Sequence, residues 1–129
     1  MAENTCEEDL FCGTNSPESW DVDQMDALEK KHAVIIDAPD SVMEGESFEV
    51  TLNVGEFMEH PNEIGHFIEW MELYSGDTFL ARIDLTPQKT EYVMKTTVNL
   101  DHAHTLRGRA KCNLHGLWET EKQIEVDHI

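Results

Sequence analysis

Two short segments of this chain combine metal-binding side chains at close spacing. Cys112 and His115 are separated by two residues and precede a glycine, so one turn can present a thiolate and an imidazole to the same ion. His60 and His66 are separated by five residues that include a proline and a glycine, which favour a curled loop. The two segments together predict a metal site at the turns of the fold.

With His32, these residues give four imidazoles and one thiolate, a set that narrows the choice of metal. Structural zinc is usually tetrahedral and built on paired cysteines, so five ligands exceed what it needs. A square pyramid with one open position suits ferrous iron better, and a small anion could bind at the open position. Cys6 and Cys12 are spaced more widely than a usual zinc pair, and we interpret them as structural or incidental.

The segments that would position these ligands have the pattern of β-strands. From Lys31 onward, short apolar runs recur between turn signals, and the run from Ser47 to Val54 alternates apolar and polar residues. This pattern predicts an all-β, immunoglobulin-like, seven-stranded β-sandwich. The predicted strands are His32 to Asp37, Ser47 to Val54, His66 to Leu73, Thr78 to Leu85, Glu91 to Leu100, Thr105 to Cys112 and Thr120 to Val126.

The first 29 residues differ in composition from the rest of the chain. They contain no Lys, Arg or His and many acidic residues. We interpret residues 1–29 as an acidic N-terminal extension, with a short helical turn predicted at Asp23 to Lys30, and residues 30–129 as the metal-binding β-sandwich domain.

The charge balance excludes several classes of partner. Nine Lys and Arg against 27 Asp and Glu give a net charge of −18, which argues against binding nucleic acid or an anionic membrane surface. No apolar run approaches the roughly 20 residues of a membrane-spanning helix. The N-terminus has no secretory pattern, and we expect a cytoplasmic protein.

The motifs resemble those of the superoxide reductases of the neelaredoxin and desulfoferrodoxin family. The resemblance covers residues 31 to about 126 and rests on Lys31-His32, on His60-Pro61 with His66-x-Ile68-x-Trp70, and on Cys112-Asn113-x-His115-Gly116-x-Trp118. It implies an immunoglobulin-like sandwich with one mononuclear iron that alternates between Fe2+ and Fe3+. The implied equatorial ligands are His32, His60, His66 and His115, and the implied axial ligand is the thiolate of Cys112.

The resemblance also implies the activity and its partners. Superoxide would be reduced by one electron to hydrogen peroxide, and rubredoxin or a similar small protein would supply the electron. The family forms dimers or tetramers, so a homo-oligomer is expected. Lys31, beside His32, would attract the anion and help to organise proton delivery.

Two departures from the family pattern are visible. Only Cys6 and Cys12 precede the β-domain, so the chain resembles the one-iron class rather than the class with a second, four-cysteine iron site. The family's Glu-Lys-His motif reads Glu29-Lys30-Lys31-His32 here. Either Glu29 reaches the sixth position of ferric iron, or a solvent ligand fills it.

Two other classes of function compete with this interpretation. A cupredoxin-like electron carrier would use two His, one Cys and often a weak axial Met, but no Met follows Cys112 and the histidines are too many. An immunoglobulin-like interaction module would hold structural zinc or no metal. Elemental analysis of the purified protein distinguishes a superoxide reductase, a cupredoxin-like carrier and an interaction module by the metal that each contains.

Overall fold

The computed structural model describes residues 13–102 and 104–128, which form two β-sheets and one short helix. The elements in chain order are β1 (Thr14–Asn15), α1 (Ala27–His32), β2 (Val34–Asp37), β3 (Ser41–Met43), β4 (Ser47–Val54), β5 (Ile68–Ser75), β6 (Thr78–Asp84), β7 (Val93–Asn99), β8 (His104–Cys112) and β9 (Gly116–Asp127). The larger sheet has the order β1-β9-β8-β5-β6, with β3 also paired to β9, and the smaller sheet has the order β2-β4-β7.

The predicted β-sandwich is confirmed. Its seven predicted segments correspond to β2 and to β4 through β9, while β1 and β3 are two further short strands. The first predicted segment begins later than expected, because His32 is the last residue of α1 and β2 starts at Val34. Cys6 and Cys12 lie outside the described residues.

Alternation along β4 shows why the two sheets pack together. Phe48, Val50, Leu52 and Val54 are buried, and the residues between them are exposed or half-buried. These side chains join a core to which both sheets contribute. Burial of each such side chain contributes roughly 1.5–3 kcal/mol.

The two sheets approach each other closely at Gly108 of β8. A Cβ atom at this position would lie 3.0 Å from Leu52 Cδ2 and 3.2 Å from the Cγ1 atoms of Ile36 and Val34. All three neighbours belong to the smaller sheet, and Leu52 and Val34 are fully buried. A side chain here would therefore force Leu52 and its neighbours to shift, and glycine avoids that cost.

Strand pairing brings the ends of several strands to one end of the sandwich. In the larger sheet, Cys112 pairs with Ile68 at the start of β5 and with Gly116 at the start of β9. In the smaller sheet, Val34 at the start of β2 pairs with Val54 at the end of β4. The segments that carry the candidate ligands adjoin these strand ends.

Helix α1 enters the sandwich at the same end. Asp26 caps its N-terminus in a capping box with Glu29, and the helix ends at the buried residue His32. It corresponds to the predicted helical turn, shifted towards the C-terminus. Among the described residues, no helix is long and apolar enough to cross a membrane.

The segment before α1 runs along the start of β9. Thr14 pairs in parallel with Leu117. The side-chain amide of Asn15 donates to the Leu117 carbonyl at 3.0 Å, and the Ser16 hydroxyl donates to the Glu119 carbonyl at 2.8 Å. These bonds cover an otherwise open strand edge next to the turn that holds His115.

Replacing Gly108 with Ala tests how tightly the sheets pack. The added methyl group must displace Leu52 and its neighbours, so we expect the free energy of unfolding to fall by about 1–3 kcal/mol. Gly65→Ala is the matched control, because a Cβ there meets nothing within 4 Å, and it should change stability by less than about 0.5 kcal/mol. Chemical denaturation of both variants in the same metal state gives the comparison, and equal stabilities would contradict the close packing.

Candidate metal centre

Four side chains from separate parts of the chain meet at this end of the sandwich. They are His32, His60, His66 and Cys112, and their ligand atoms all lie within 4.8 Å of one another. His32 ends α1, and His60 lies in the loop after β4. His66 comes shortly before β5, and Cys112 is the last residue of β8.

The fifth predicted ligand, His115, adjoins this group in the turn between β8 and β9. Its Nδ1 lies 3.2 Å from His66 Nε2 and 3.8 Å from Cys112 Sγ. Successive ring centroids are 4.7, 4.9, 4.9 and 5.0 Å apart in the order His32, His60, His66, His115 and back to His32. The four imidazoles therefore form a closed ring of neighbours.

The protonation of two imidazoles points to a cation between them. His32 Nδ1 donates to the Leu28 carbonyl at 2.7 Å, and His60 Nδ1 donates to the Pro61 carbonyl at 2.6 Å. In the neutral rings both Nε2 atoms then carry lone pairs, yet these atoms face each other at 3.2 Å. Only a positive ion or a shared proton makes that arrangement favourable.

Burial disfavours protonation of these imidazoles. It lowers the pKa of His32 and the pKa of His60 to about 4, so both rings are neutral near pH 7. It also lowers the pKa of His66, with the positive charges of His115 and Lys31 acting in the same direction. Neutral imidazoles are the form that binds a metal ion.

The spacing of the nitrogens suits a metal ion. Adjacent nitrogens are 3.2 Å apart in two places along the ring. An ion bound to two such nitrogens, with a right angle between the two bonds, would lie about 2.3 Å from each nitrogen. This distance is close to the roughly 2.0–2.1 Å of metal–imidazole bonds. The grouped ligand atoms of His32, His60, His66 and Cys112 are of the nitrogen and sulfur types that bind iron.

The thiol of Cys112 is buried and held by its own turn. Burial raises the pKa of Cys112, while the backbone N–H groups of Leu114 and His115 donate to the sulfur and act in the opposite direction, as does the positive charge of Lys111. A bound cation would complete the deprotonation, since metal ligation requires the thiolate.

Asn113 joins the two loops that carry His66 and Cys112. Its side-chain oxygen accepts from the Phe67 N–H at 2.9 Å, and its side-chain nitrogen donates to the Gly65 carbonyl at 2.9 Å. Its backbone N–H also donates to the Phe67 carbonyl at 3.2 Å. One amide side chain thus fixes the position of His66 relative to the thiol.

Tyr92 is a supporting residue that sequence reasoning missed. Its hydroxyl donates to the Pro61 carbonyl at 2.6 Å, the same oxygen that receives His60 Nδ1, and accepts from the Ile68 N–H at 3.3 Å. Its ring meets His60 edge-on, with centroids 5.5 Å apart. In the sequence Tyr92 looked like one more core position of a strand, and no local signal separates it from the others.

Trp118 supports the opposite part of the ring. Its indole stacks on His32 with centroids 4.9 Å apart and donates to the His115 carbonyl at 2.9 Å. The sequence placed Trp118 within the motif of Cys112 but gave it no role. Like Tyr92, it orients ligands through contacts that only the folded chain makes.

The carboxylate of Glu29 is directed away from the imidazole ring. One oxygen accepts from the Asp26 N–H at 3.1 Å, and the other accepts from the Glu18 N–H at 2.6 Å. Both bonds fix the N-terminal end of α1, whereas His32 lies at its C-terminal end. Lys31, next to His32, is half-buried and its charge acts on both His32 and His66.

Comparison with known proteins agrees with this geometry. The desulfoferrodoxin family profile matches residues 24–121. A Methanocaldococcus jannaschii protein proposed to be a superoxide reductase is 38% identical over 121 residues, which cover 91% of this chain and 97% of the relative. The superoxide reductase of Pyrococcus horikoshii is 32% identical, covering 74% and 89%. The solved Ignicoccus hospitalis superoxide reductase (neelaredoxin) has a TM-score of 0.71 at 35% identity, covering 79% and 88%.

Replacing Tyr92 with Phe tests its support of His60. The variant leaves a buried carbonyl and a buried N–H without this partner, so we expect metal affinity to fall roughly tenfold or more and stability to fall by about 1–3 kcal/mol. Tyr74→Phe removes the same atom from the other tyrosine, which lies beside Phe79 and Arg107, and should change neither. Chelator competition measures the affinity; equal values for both variants would refute the role of Tyr92.

Proposed function

The chain belongs to the desulfoferrodoxin family, and from that premise we propose that it reduces superoxide at one iron ion held by the ring of imidazoles. Superoxide, one electron and two protons give one molecule of hydrogen peroxide. The observation that carries the proposal is the closed ring His32–His60–His66–His115 with the thiol of Cys112 beside it. The four imidazoles and the thiolate of Cys112 would hold the iron.

When bound by these residues, iron would supply the one-electron redox chemistry, with an external donor as the source of the electron. The chain's own groups adjust how readily that electron leaves. The sulfur of Cys112 donates electron density, and the N–H groups of Leu114 and His115 moderate it by hydrogen bonding. The carbonyl of Pro61 accepts a hydrogen bond from His60 Nδ1, which makes the His60 imidazole a more basic ligand.

We propose that Lys31 attracts superoxide to the site. The net charge of −18 opposes an anion at long range, but screening limits that repulsion to about 8 Å at physiological salt. Within this distance the local field decides, and Lys31 is close enough to His32 and His66 to lower their pKa values. Its ammonium group can also hold solvent that delivers protons.

For the sixth position of ferric iron, we propose a solvent ligand rather than Glu29. Both oxygens of Glu29 are engaged by backbone N–H groups at the start of α1. The metal-binding group among the described residues contains no carboxylate. Capture by Glu29 would first require the capping box of α1 to open.

We propose rubredoxin or a similar small redox protein as the electron donor, and a dimer or tetramer as the assembly. A reducing cytoplasm would keep the buried Cys112 thiol available for metal. We also retain the division into an extension of residues 1–29 and a domain of residues 30–129. A blue-copper electron carrier is disfavoured, since such sites use two imidazoles rather than four.

Replacing Cys112 with Ser tests the axial ligand. Without the thiolate, the visible absorption of ferric iron bound to sulfur should disappear, and the second-order rate with superoxide should fall with it. Cys6→Ser and Cys12→Ser make the same chemical change outside the described residues and are the matched controls. Absorption spectra of the oxidised proteins with equal iron content decide the question, and a surviving band would exclude Cys112.

Replacing Lys31 with Ile tests the local field. We expect the rate with pulsed superoxide to fall roughly tenfold at low salt, with a weaker dependence on ionic strength. Lys95→Ile removes the same charge from an exposed position on β7 and should leave the rate nearly unchanged. If both variants behave alike, only net charge matters and the steering role of Lys31 is wrong.

A further inference from the structure

The five candidate ligands differ in their access to solvent. His32 is 1% exposed and His60 is 2% exposed, and Cys112 is fully buried. His66 and His115 are half-buried and lie next to each other. An electron that enters from a partner protein therefore has its shortest path through the edge formed by these two rings.

Two large apolar side chains stand on the loops that carry those rings. Ile64 is 74% exposed and Leu114 is 54% exposed. Ile64 lies two residues before His66, and Leu114 directly precedes His115. The loops adjoin, because the Asn113 side chain donates to the Gly65 carbonyl at 2.9 Å.

Positive charge lies close to the same edge. Lys111 Nζ donates to the Cys112 carbonyl at 3.5 Å. Lys31 directly precedes His32, whose ring centroid lies 5.0 Å from that of His115. The chain has a net charge of −18, and these two lysines place positive charge near one exposed edge. Exposed apolar side chains near such charges are typical of a contact surface with an apolar centre and a polar rim.

We propose that Ile64 and Leu114 form the docking surface for the electron donor, a small redox protein with an apolar centre and an acidic rim. This inference rests on the proposed function. One electron passes from the reduced donor to ferric iron through the edge of His66 and His115, and no bond forms or breaks. Electron-transfer encounters use small interfaces that form and separate quickly, so two apolar side chains carry a large share of the contact.

The experiment compares two reductants of the ferric protein. Reduced rubredoxin is the protein probe, and ascorbate reaches the site without docking. In Ile64→Ser, we expect reduction by rubredoxin to slow about tenfold, while reduction by ascorbate and the reaction of the ferrous form with pulsed superoxide stay unchanged. Leu114→Ser should also slow reduction by rubredoxin, and because the Leu114 N–H donates to the sulfur of Cys112, its rubredoxin rate is compared with its own ascorbate rate. Titration of isotope-labelled rubredoxin, followed by NMR, should show weaker binding to both variants.

The control is Phe79→Ser, which removes an even larger apolar side chain that is 53% exposed on β6. It should leave all three rates unchanged. Equal rubredoxin rates for Ile64→Ser and Phe79→Ser would overturn the proposal, and so would a change of oligomeric mass in Ile64→Ser, which would assign the surface to a second copy of the chain. Failure of the unaltered protein to react with superoxide would instead reject the proposed function, while rubredoxin binding could still be measured.

Discussion

The Nε2 atoms of His32 and His60 face each other at 3.2 Å, while the Nδ1 atom of each ring donates to a carbonyl. Two lone pairs at that distance repel unless a cation lies between them. Burial lowers both pKa values to about 4 and so removes the proton as an alternative at neutral pH. The rest of the site follows from this constraint, because the fold holds two lone pairs close together and a bound metal ion would remove their repulsion.

The sandwich can hold such an arrangement because each ligand lies on or close to an element with fixed neighbours. Cys112 is itself paired in the sheet with Ile68 and Gly116. His32 follows a capped helical turn and precedes β2 directly. Asn113 then joins two of the ligand loops. Irregular loops are mobile by default, and these bonds give the site the rigidity that a small coordination sphere needs.

Charge divides the molecule into two regions of opposite behaviour. Most of the surface belongs to a chain with a net charge of −18, which favours solubility and repels anions. Near the imidazole ring, the charge of Lys31 lowers the pKa of His66, and the charge of Lys111 lowers the pKa of Cys112 while Glu69 raises it. Under the proposed function, a small anionic substrate would depend on the charge of Lys31, while the acidic surplus limits contact with other anionic partners.

The sequence by itself determined the strands and the ligand types. Alternation in β4 is a local property of a half-buried strand, and the spacing of Cys112 and His115 is a local property of a turn. The sequence also predicted a helical turn at Asp23 to Lys30, and the structure places the helix at Ala27–His32. Only the tertiary structure decided that Glu29 faces away from the ring and that Tyr92 supports His60. The Glu29 contact joins the helix to a preceding loop, and the Tyr92 contact joins residues 31 positions apart in the chain. Neither contact belongs to a short sequence pattern, so only the folded chain sets these distances.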